Sequence, residues 1–174
     1  MKKMKNLIGI LSITLLLFAC GSNENPKNNE ENNNMSANAG IVQEFTIKAV
    51  GNSMSAQSDD KMRFELLDVN EMNVKPGSKV KITLINEGTD PSMIHNIVFV
   101  KMNTRKEVAL ESVAAGPDNG FVAKGNSNVI AYSPMAQPGE TVSFEFTAPK
   151  EGSYEYLCTY PGHSDMMKGW LYVE

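Results

Sequence analysis

From about Ile41 to the C-terminus, apolar and polar side chains alternate over short segments that are separated by turn residues. An alternation with period two places the apolar side chains on one face of a β-strand. The turns contain Pro-Gly at 76–77 and 138–139 and Glu-Gly at 151–152. Many short strands with one buried face predict an all-β domain, either a Greek-key β-sandwich or a barrel. The alternating segments are 45–47, 62–66, 80–84, 142–146, 154–156 and 171–173.

One segment between the predicted strands has helical character. Thr104 followed by Glu107 forms a candidate capping box, and the residues from Val108 to Ala115 favour helix formation. Gly116 can end such a helix. We therefore expect one short helix at about 105–115, inside a long excursion from the strands.

The first 19 residues have the pattern of a secretory signal: a basic start, a short apolar run and a small residue at the end. Residues 17–20, Leu-Phe-Ala-Cys, resemble the lipobox of bacterial lipoproteins, in which the cysteine becomes the acylated first residue of the mature chain. The alternative is an ordinary signal peptide followed by an incidental cysteine. Acylation of Cys20 would tether the protein to a membrane of the cell envelope, with the domain on the periplasmic or extracellular side.

Residues 20–40 are predicted to connect this anchor to the folded part. The segment is rich in Asn, and Met35 is its one large apolar residue. It cannot bury enough apolar surface to offset the loss of chain entropy on folding. We expect a lipidated cysteine with a flexible tether over 20–40 and a single domain over 41–174.

The charge balance excludes nucleic acid as a partner. The full chain has a formal net charge of −4, with 16 basic and 20 acidic residues. Removal of residues 1–19 takes away three lysines, which leaves 13 basic residues and a net charge of −7. An acidic surface without a basic, aromatic-rich face repels the phosphate backbone.

Three metal-ligand types occur within ten residues near the C-terminus: the thiol of Cys158, the imidazole of His163 and the thioether of Met166 or Met167. The turn at 161–162, Pro-Gly, can fold the imidazole back toward the sulfur. A site with two histidines, one cysteine and a weak thioether suits copper in electron transfer. The chain has only 2 His and 2 Cys, so the second imidazole would have to be His95.

Each of these residues has an ordinary alternative role. Cys158 alone would be a small buried apolar residue, His95 a hydrogen-bonded residue at the rim of the domain, and either methionine a core residue. A nucleophilic Cys-His pair would need an exposed thiol and a third, orienting group, and no signature of such an enzyme surrounds Cys158.

Two motifs resemble those of the azurin-type blue copper proteins, including the membrane-tethered auracyanins. They are Met-Ile-His-Asn at 93–96 and Cys-Thr-Tyr-Pro-Gly-His-Ser-Asp-Met-Met-Lys-Gly at 158–169. The segments 128–131 and 142–146 are also similar to that family, so the resemblance covers about 41–174. It implies a cupredoxin fold with one type 1 copper ion per chain.

The resemblance also implies a role for each residue of the motifs. His95, Cys158 and His163 would be the equatorial copper ligands, and Met167 would be the distant axial ligand. The carbonyl of Ile94 occupies the place of a second weak axial contact, which azurin makes through a glycine. Asn96 and Thr159 would support the ligand-bearing segments, and an electron-transfer patch would comprise Met93, Tyr160, Gly162 and Met166.

Two departures from azurin are visible. The azurin disulfide has no counterpart, because Cys20 and Cys158 are the only cysteines. Asp165 stands where an apolar residue is expected, which makes the docking surface more polar.

The function predicted from these residues is one-electron transfer between redox proteins such as a cytochrome c, a quinol-oxidising complex, or a terminal oxidase or reductase. Enzymatic activity is not expected, because oxygen-reducing copper sites need further histidines and a catalytic metal needs an open position. The alternative is a periplasmic protein that stores copper or delivers it to an oxidase. We expect a monomer.

Overall fold

The computed structural model describes residue 33 and residues 35–174. The predicted signal at 1–19, Cys20 and most of the tether lie outside the described residues. The chain is helical at 35–38 and then turns into the first strand. Within the part of the chain that is described, no helix is both long enough and apolar enough to cross a bilayer.

The described residues form nine strands. Helix α1 (Arg105–Ala115) and a short 3₁₀ turn (Pro117–Asn119) lie between the fifth and sixth strands. The strands are β1 (Val42–Val50), β2 (Arg63–Leu66), β3 (Met72–Val74), β4 (Lys79–Asn86), β5 (Val98–Lys101), β6 (Val129–Tyr132), β7 (Thr141–Thr147), β8 (Gly152–Leu157) and β9 (Lys168–Val173).

The strands form two mixed sheets, with orders β2-β1-β4-β7 and β3-β9-β8-β5-β6. The pairs β1–β4 and β3–β9 are parallel, and the other neighbours are antiparallel. Most neighbours in a sheet are not consecutive in the chain, so the connections cross between the sheets. This arrangement confirms the predicted β-sandwich.

Alternating side chains from both sheets meet in one core. Phe99 of β5 packs against Phe146 of β7 in the opposite sheet, with ring centroids 4.8 Å apart, and against Tyr156 of β8 at 5.5 Å. The inward residues of β4, which include Ile82 and Leu84, are fully buried in the same cluster. Burial of these apolar faces stabilises the sandwich.

Strand β5 and the end of β8 are buried on both faces, and the C-terminal motif follows directly after β8. Val98 and Leu157 face outward and pack in a second apolar cluster that includes Val108 of α1. Tyr156 and Cys158, one residue to either side of Leu157, belong to the core cluster between the sheets. The helix therefore covers the outer face of the second sheet, and Cys158 enters the core as β8 ends.

The helix spans the predicted residues, but the predicted capping box is wrong. Thr104 has helical dihedral angles (φ −105°, ψ −2°), and its side chain does not cap the helix. Its hydroxyl donates instead to the carbonyl of Lys101, at 2.8 Å, and so turns the chain out of β5. Gly116 ends the helix as expected, at φ 76°.

Candidate metal centre

His95, Cys158 and His163 come together in the structure and are essentially fully buried. The sulfur of Cys158 lies 3.8 Å from Nδ1 of His95 and 3.8 Å from Nδ1 of His163. The two Nδ1 atoms are 3.1 Å apart. Three potential ligand atoms from two distant parts of the chain therefore converge on one point.

The dimensions of this triangle fit a metal ion. Sides of 3.8, 3.8 and 3.1 Å place the point equidistant from the three atoms about 2.1 Å from each, which matches metal–nitrogen bonds and is about 0.2 Å shorter than metal–sulfur bonds. Without a metal, the sulfur and the two Nδ1 atoms can satisfy one another only through the thiol proton and a ring proton carried on one Nδ1. A cation would satisfy all three lone pairs at once, so the donor set suits a thiophilic metal such as copper.

The backbone of His95 is held from both sides. His95 and Ala136 exchange two backbone hydrogen bonds, at 3.1 and 2.7 Å. Behind them, the buried amide of Asn86 donates to the carbonyls of Met93 and Ala136 at 2.7 and 2.9 Å. Its oxygen accepts from the amide of Gly88 at 2.9 Å. Asn86 thereby ties the end of β4 to the segment that carries His95.

Hydrogen bonds between Asn96 and Thr159 connect the two ligand-bearing segments. The side-chain oxygen of Asn96 accepts from the Thr159 amide at 2.8 Å, and its NH₂ group donates to the Thr159 hydroxyl at 2.9 Å and to the Gly120 carbonyl at 3.2 Å. The Thr159 hydroxyl in turn donates to the carbonyl of Phe121 at 2.5 Å. The residues that follow His95 and Cys158 are therefore bonded directly to each other.

Backbone hydrogen bonds close the C-terminal motif into a compact loop. The amide of Cys158 donates to the carbonyl of Met167 at 2.9 Å. The amides of Met166 and Met167 donate to the carbonyl of His163 at 3.1 and 3.0 Å. Gly162 supplies the positive φ of 85° that the turn before His163 requires. The loop backbone thus fixes the positions of Cys158, His163 and Met167 relative to one another.

Burial distinguishes the two adjacent methionines. Met167 is fully buried in the core cluster, whereas Met166 is partly exposed and packs against the edge of that cluster. This difference agrees with Met167, rather than Met166, lying on the metal side of the loop. The contact expected from the carbonyl of Ile94 stays a prediction.

The surface above His163 differs from the expected patch. Tyr160 and Met166 are partly exposed and Gly162 is exposed, but Met93 is only 1% exposed and lies below the surface. Met54, which is 54% exposed, adds to this surface: its methyl carbon lies 2.5 Å from the position that a Cβ on Gly162 would take. His163 itself is 1% exposed, so its ring lies just beneath this surface.

The buried environment favours the uncharged forms of all three groups. Burial raises the pKa of the Cys158 thiol to about 12. Burial, with a smaller contribution from the charge of His163, lowers the pKa of His95 to about 3, and burial lowers the pKa of His163 to about 4. At neutral pH the metal-free site is a thiol facing two neutral imidazoles, which avoids an uncompensated buried charge.

Sequence reasoning missed several residues that build the site. Asn86 had a readable signal, because it occupies an inward position in the alternation of β4, where a polar side chain must find buried partners. Met54 had none, since the loop at 51–61 comes over the site only in the folded structure. Arg105, which donates to the Ser164 carbonyl in the loop at 158–169, and Glu155, which pairs with Arg105, were also missed.

Comparisons with known proteins agree with this geometry. Residues 50–174 match the family model described as copper-binding proteins of the plastocyanin/azurin family. The chain is 38% identical over 108 residues to auracyanin-A of Chloroflexus aurantiacus, which covers 61% of this chain and 65% of that protein. It is 33% identical over 123 residues to azurin of Alcaligenes faecalis, which covers 68% of this chain and 94% of azurin.

The fold is also similar to that of a solved structure from this family. The solved structure of auracyanin A, titled a "blue" copper protein, superposes with a TM-score of 0.63 at 32% identity. The match covers 76% of this chain and 99% of the auracyanin chain.

Proposed function

The chain belongs to the plastocyanin/azurin family of copper-binding proteins, and we propose that it carries single electrons on one type 1 copper ion. His95, Cys158 and His163 would be the equatorial ligands, and Met167 would be the weak axial ligand. The observation that carries this proposal is the convergence of three buried ligand atoms around one point. When bound there, copper would supply the chemistry by alternating between Cu(II) and Cu(I).

The chain's own residues suit electron transfer better than catalysis. Both histidines of the sequence are already in the site, so no further imidazole is available for oxygen chemistry. All three ligands are buried, which keeps water and substrates away from the metal. The thiolate offers a covalent route for the electron, and the imidazoles with a weak thioether suit both oxidation states.

We propose that electrons leave through His163 to a partner docked on the surface formed by Met54, Tyr160, Gly162 and Met166. His163 lies directly below this surface and packs against Tyr160, with ring centroids 4.8 Å apart. A small, mostly apolar surface favours brief docking over a stable complex. The proposed partners are a cytochrome c, a quinol-oxidising complex, or a terminal oxidase or reductase.

We further propose that Cys20 is lipidated and tethers the domain to a membrane of the cell envelope through residues 21–40. The support is the Leu-Phe-Ala-Cys sequence at 17–20 and its likeness to the lipobox. Labelling with an alkyne fatty acid should mark the wild-type protein and not Cys20→Ser. Equal labelling of the two proteins would refute the anchor without affecting the copper site.

Absorption spectroscopy and electrochemistry test the copper function. The purified protein with Cu(II) should be intensely blue and should cycle reversibly between its two oxidation states. Cys158→Ser should remove the colour, because the colour arises from the thiolate bond to copper. A colourless wild-type protein that readily gives up Cu(I) to an acceptor would instead support copper storage or delivery.

A further inference from the structure

Glu155 of β8, three residues before Cys158, is bonded to the segment that leads into helix α1. One carboxylate oxygen accepts from the backbone amide of Asn103 at 3.0 Å, and the other accepts from Nε of Arg105 at 3.4 Å. The side chains of Arg105 and Glu155 are only 16% and 14% exposed. An ion pair this sheltered is screened less by water and salt than an ordinary surface pair.

The remaining donors of Arg105 reach the ligand loop. Its NH1 group donates to the carbonyl of Ser164, the residue after His163, at 3.1 Å. The same group lies 3.9 Å from the carboxylate of Asp165. Asp165 is 85% exposed, so that pair contributes little, whereas the bond to the Ser164 carbonyl has a charged donor and a sheltered position.

One guanidinium therefore connects three separate pieces of the chain: the first turn of α1, the strand that leads to Cys158, and the loop that carries His163 and Met167. Arginine suits this position because its planar fork can donate in two directions at once, which the single ammonium of lysine cannot do equally well. The backbone hydrogen bonds inside the loop set its internal geometry, and Arg105 attaches the loop to the rest of the domain.

We propose that Arg105 is a positioning residue of the metal centre: paired with Glu155, it holds the Ser164 carbonyl and so fixes the ligand loop against β8 and α1. This inference rests on the proposed function only in treating the site as a copper site. The positioning itself is a property of the metal-free protein.

Amide hydrogen exchange of the full, metal-free protein tests the positioning directly. The amides of Met166 and Met167 report on the loop, because both donate to the carbonyl of His163. In Arg105→Met they should exchange about tenfold faster or more, since a hydrogen bond from a charged donor is lost. The matched control is Lys106→Met, which removes the same charge from the next, exposed residue of the helix and should leave the rate unchanged.

The amides of Ile82 and Leu84 in β4 separate loop opening from general destabilisation. They should exchange at the same rate in both variants. The inference is overturned if Arg105→Met behaves like Lys106→Met, or if the β4 amides accelerate as much as the loop amides. If Arg105→Met does not fold, Glu155→Gln should give the same local acceleration, and an unchanged loop in that variant would equally overturn the inference.

Arg105→Lys supplies the conservative replacement. It keeps the charge but cannot span both partners, so its loop amides should exchange at a rate between those of the wild type and Arg105→Met. Wild-type rates would show that charge alone suffices and would overturn the bridging role. With copper loaded, removal of the metal by excess chelator should be about tenfold faster in Arg105→Met than in Lys106→Met. A protein that never turns blue would refute the copper function and leave the exchange result valid.

Discussion

The protonation of the metal-free ligands determines how metal affinity should change with pH. The pKa of Cys158 is about 12, and those of His95 and His163 are about 3 and 4. Between pH 5 and pH 9, both rings are therefore neutral, and the thiol proton is the one proton that a metal has to displace from the site. A divalent metal that takes the thiolate displaces that one proton.

The pH dependence of the metal affinity follows from the number of protons that the metal displaces. Release of one proton per metal ion makes the association constant rise tenfold per pH unit, or a thousandfold from pH 5 to pH 8. Each unit corresponds to about 1.36 kcal/mol of binding free energy. Were the rings to keep the ordinary histidine pKa of 6.5, up to two further protons would be displaced at pH 5, and the slope would steepen below pH 6.5.

Competition against a chelator of known affinity, at pH 5, 6, 7 and 8, measures the slope. Zn²⁺ serves beside Cu²⁺ because it has no redox chemistry and cannot oxidise the thiol. In weakly buffered solution a pH indicator should record one proton released per metal ion at pH 7. Release of two protons at pH 6 would show that a ring is charged in the folded protein. No release would show that the thiol is already ionised or is not the ligand. Cys158→Ser should bind without releasing that proton.

Three further predictions concern the same residues. The metal-free protein should lose up to about 5 kcal/mol of stability from pH 7 to pH 4.5. The reason is that both histidines of the unfolded chain become protonated below pH 6.5, whereas the folded rings stay neutral nearly to their pKa values of about 3 and 4. Denaturant unfolding at the two pH values measures the loss, and equal stabilities would contradict the prediction. Asn96→Ala should cost about 1–3 kcal/mol in the same assay, since it leaves the buried Thr159 amide without its partner, whereas Asn73→Ala on an exposed strand position should change stability by less than about 0.5 kcal/mol. Met167→Leu should retain copper and raise the reduction potential, as measured by voltammetry, while Met166→Leu leaves it unchanged; the opposite ranking would assign the axial position to Met166.

Six of the nine strands were predictable because each has one face in the core and the other toward solvent or the helix. All six alternating segments of the sequence lie within or overlap strands of the structure. β3, β5 and β6 lie outside those segments. The three residues of β3 are too few to show a pattern, and it is held by parallel pairing with β9, whereas β5 is buried on both faces and so does not alternate. The helix was found from local propensity, but its cap was not, because the Thr104 hydroxyl bonds to a carbonyl outside the helix.

The location of Met93 could have been read correctly from the sequence. In an extended segment, residues two apart share a face, so Met93 points the same way as His95, which must be buried to reach the metal. Both are buried and Ile94 between them is partly exposed. Met54 and Arg105 could not be found this way, because they reach the ligand loop across 108 and 59 residues of chain, and local patterns carry no information about such contacts.

The hydrogen bonds that position the ligands do not involve the metal. His95 is fixed by Ala136, Cys158 by the carbonyl of Met167, and the two segments are joined through Asn96 and Thr159. All of these groups are buried, and breaking any one of these bonds would leave a polar group without a partner. A ligand set held in this way cannot follow the different geometries that Cu(II) and Cu(I) prefer in solution. Bound copper would have to accept nearly the same ligand positions in both oxidation states, so little would have to move when an electron arrives or leaves, and a site held by its fold in this way is suited to relaying electrons.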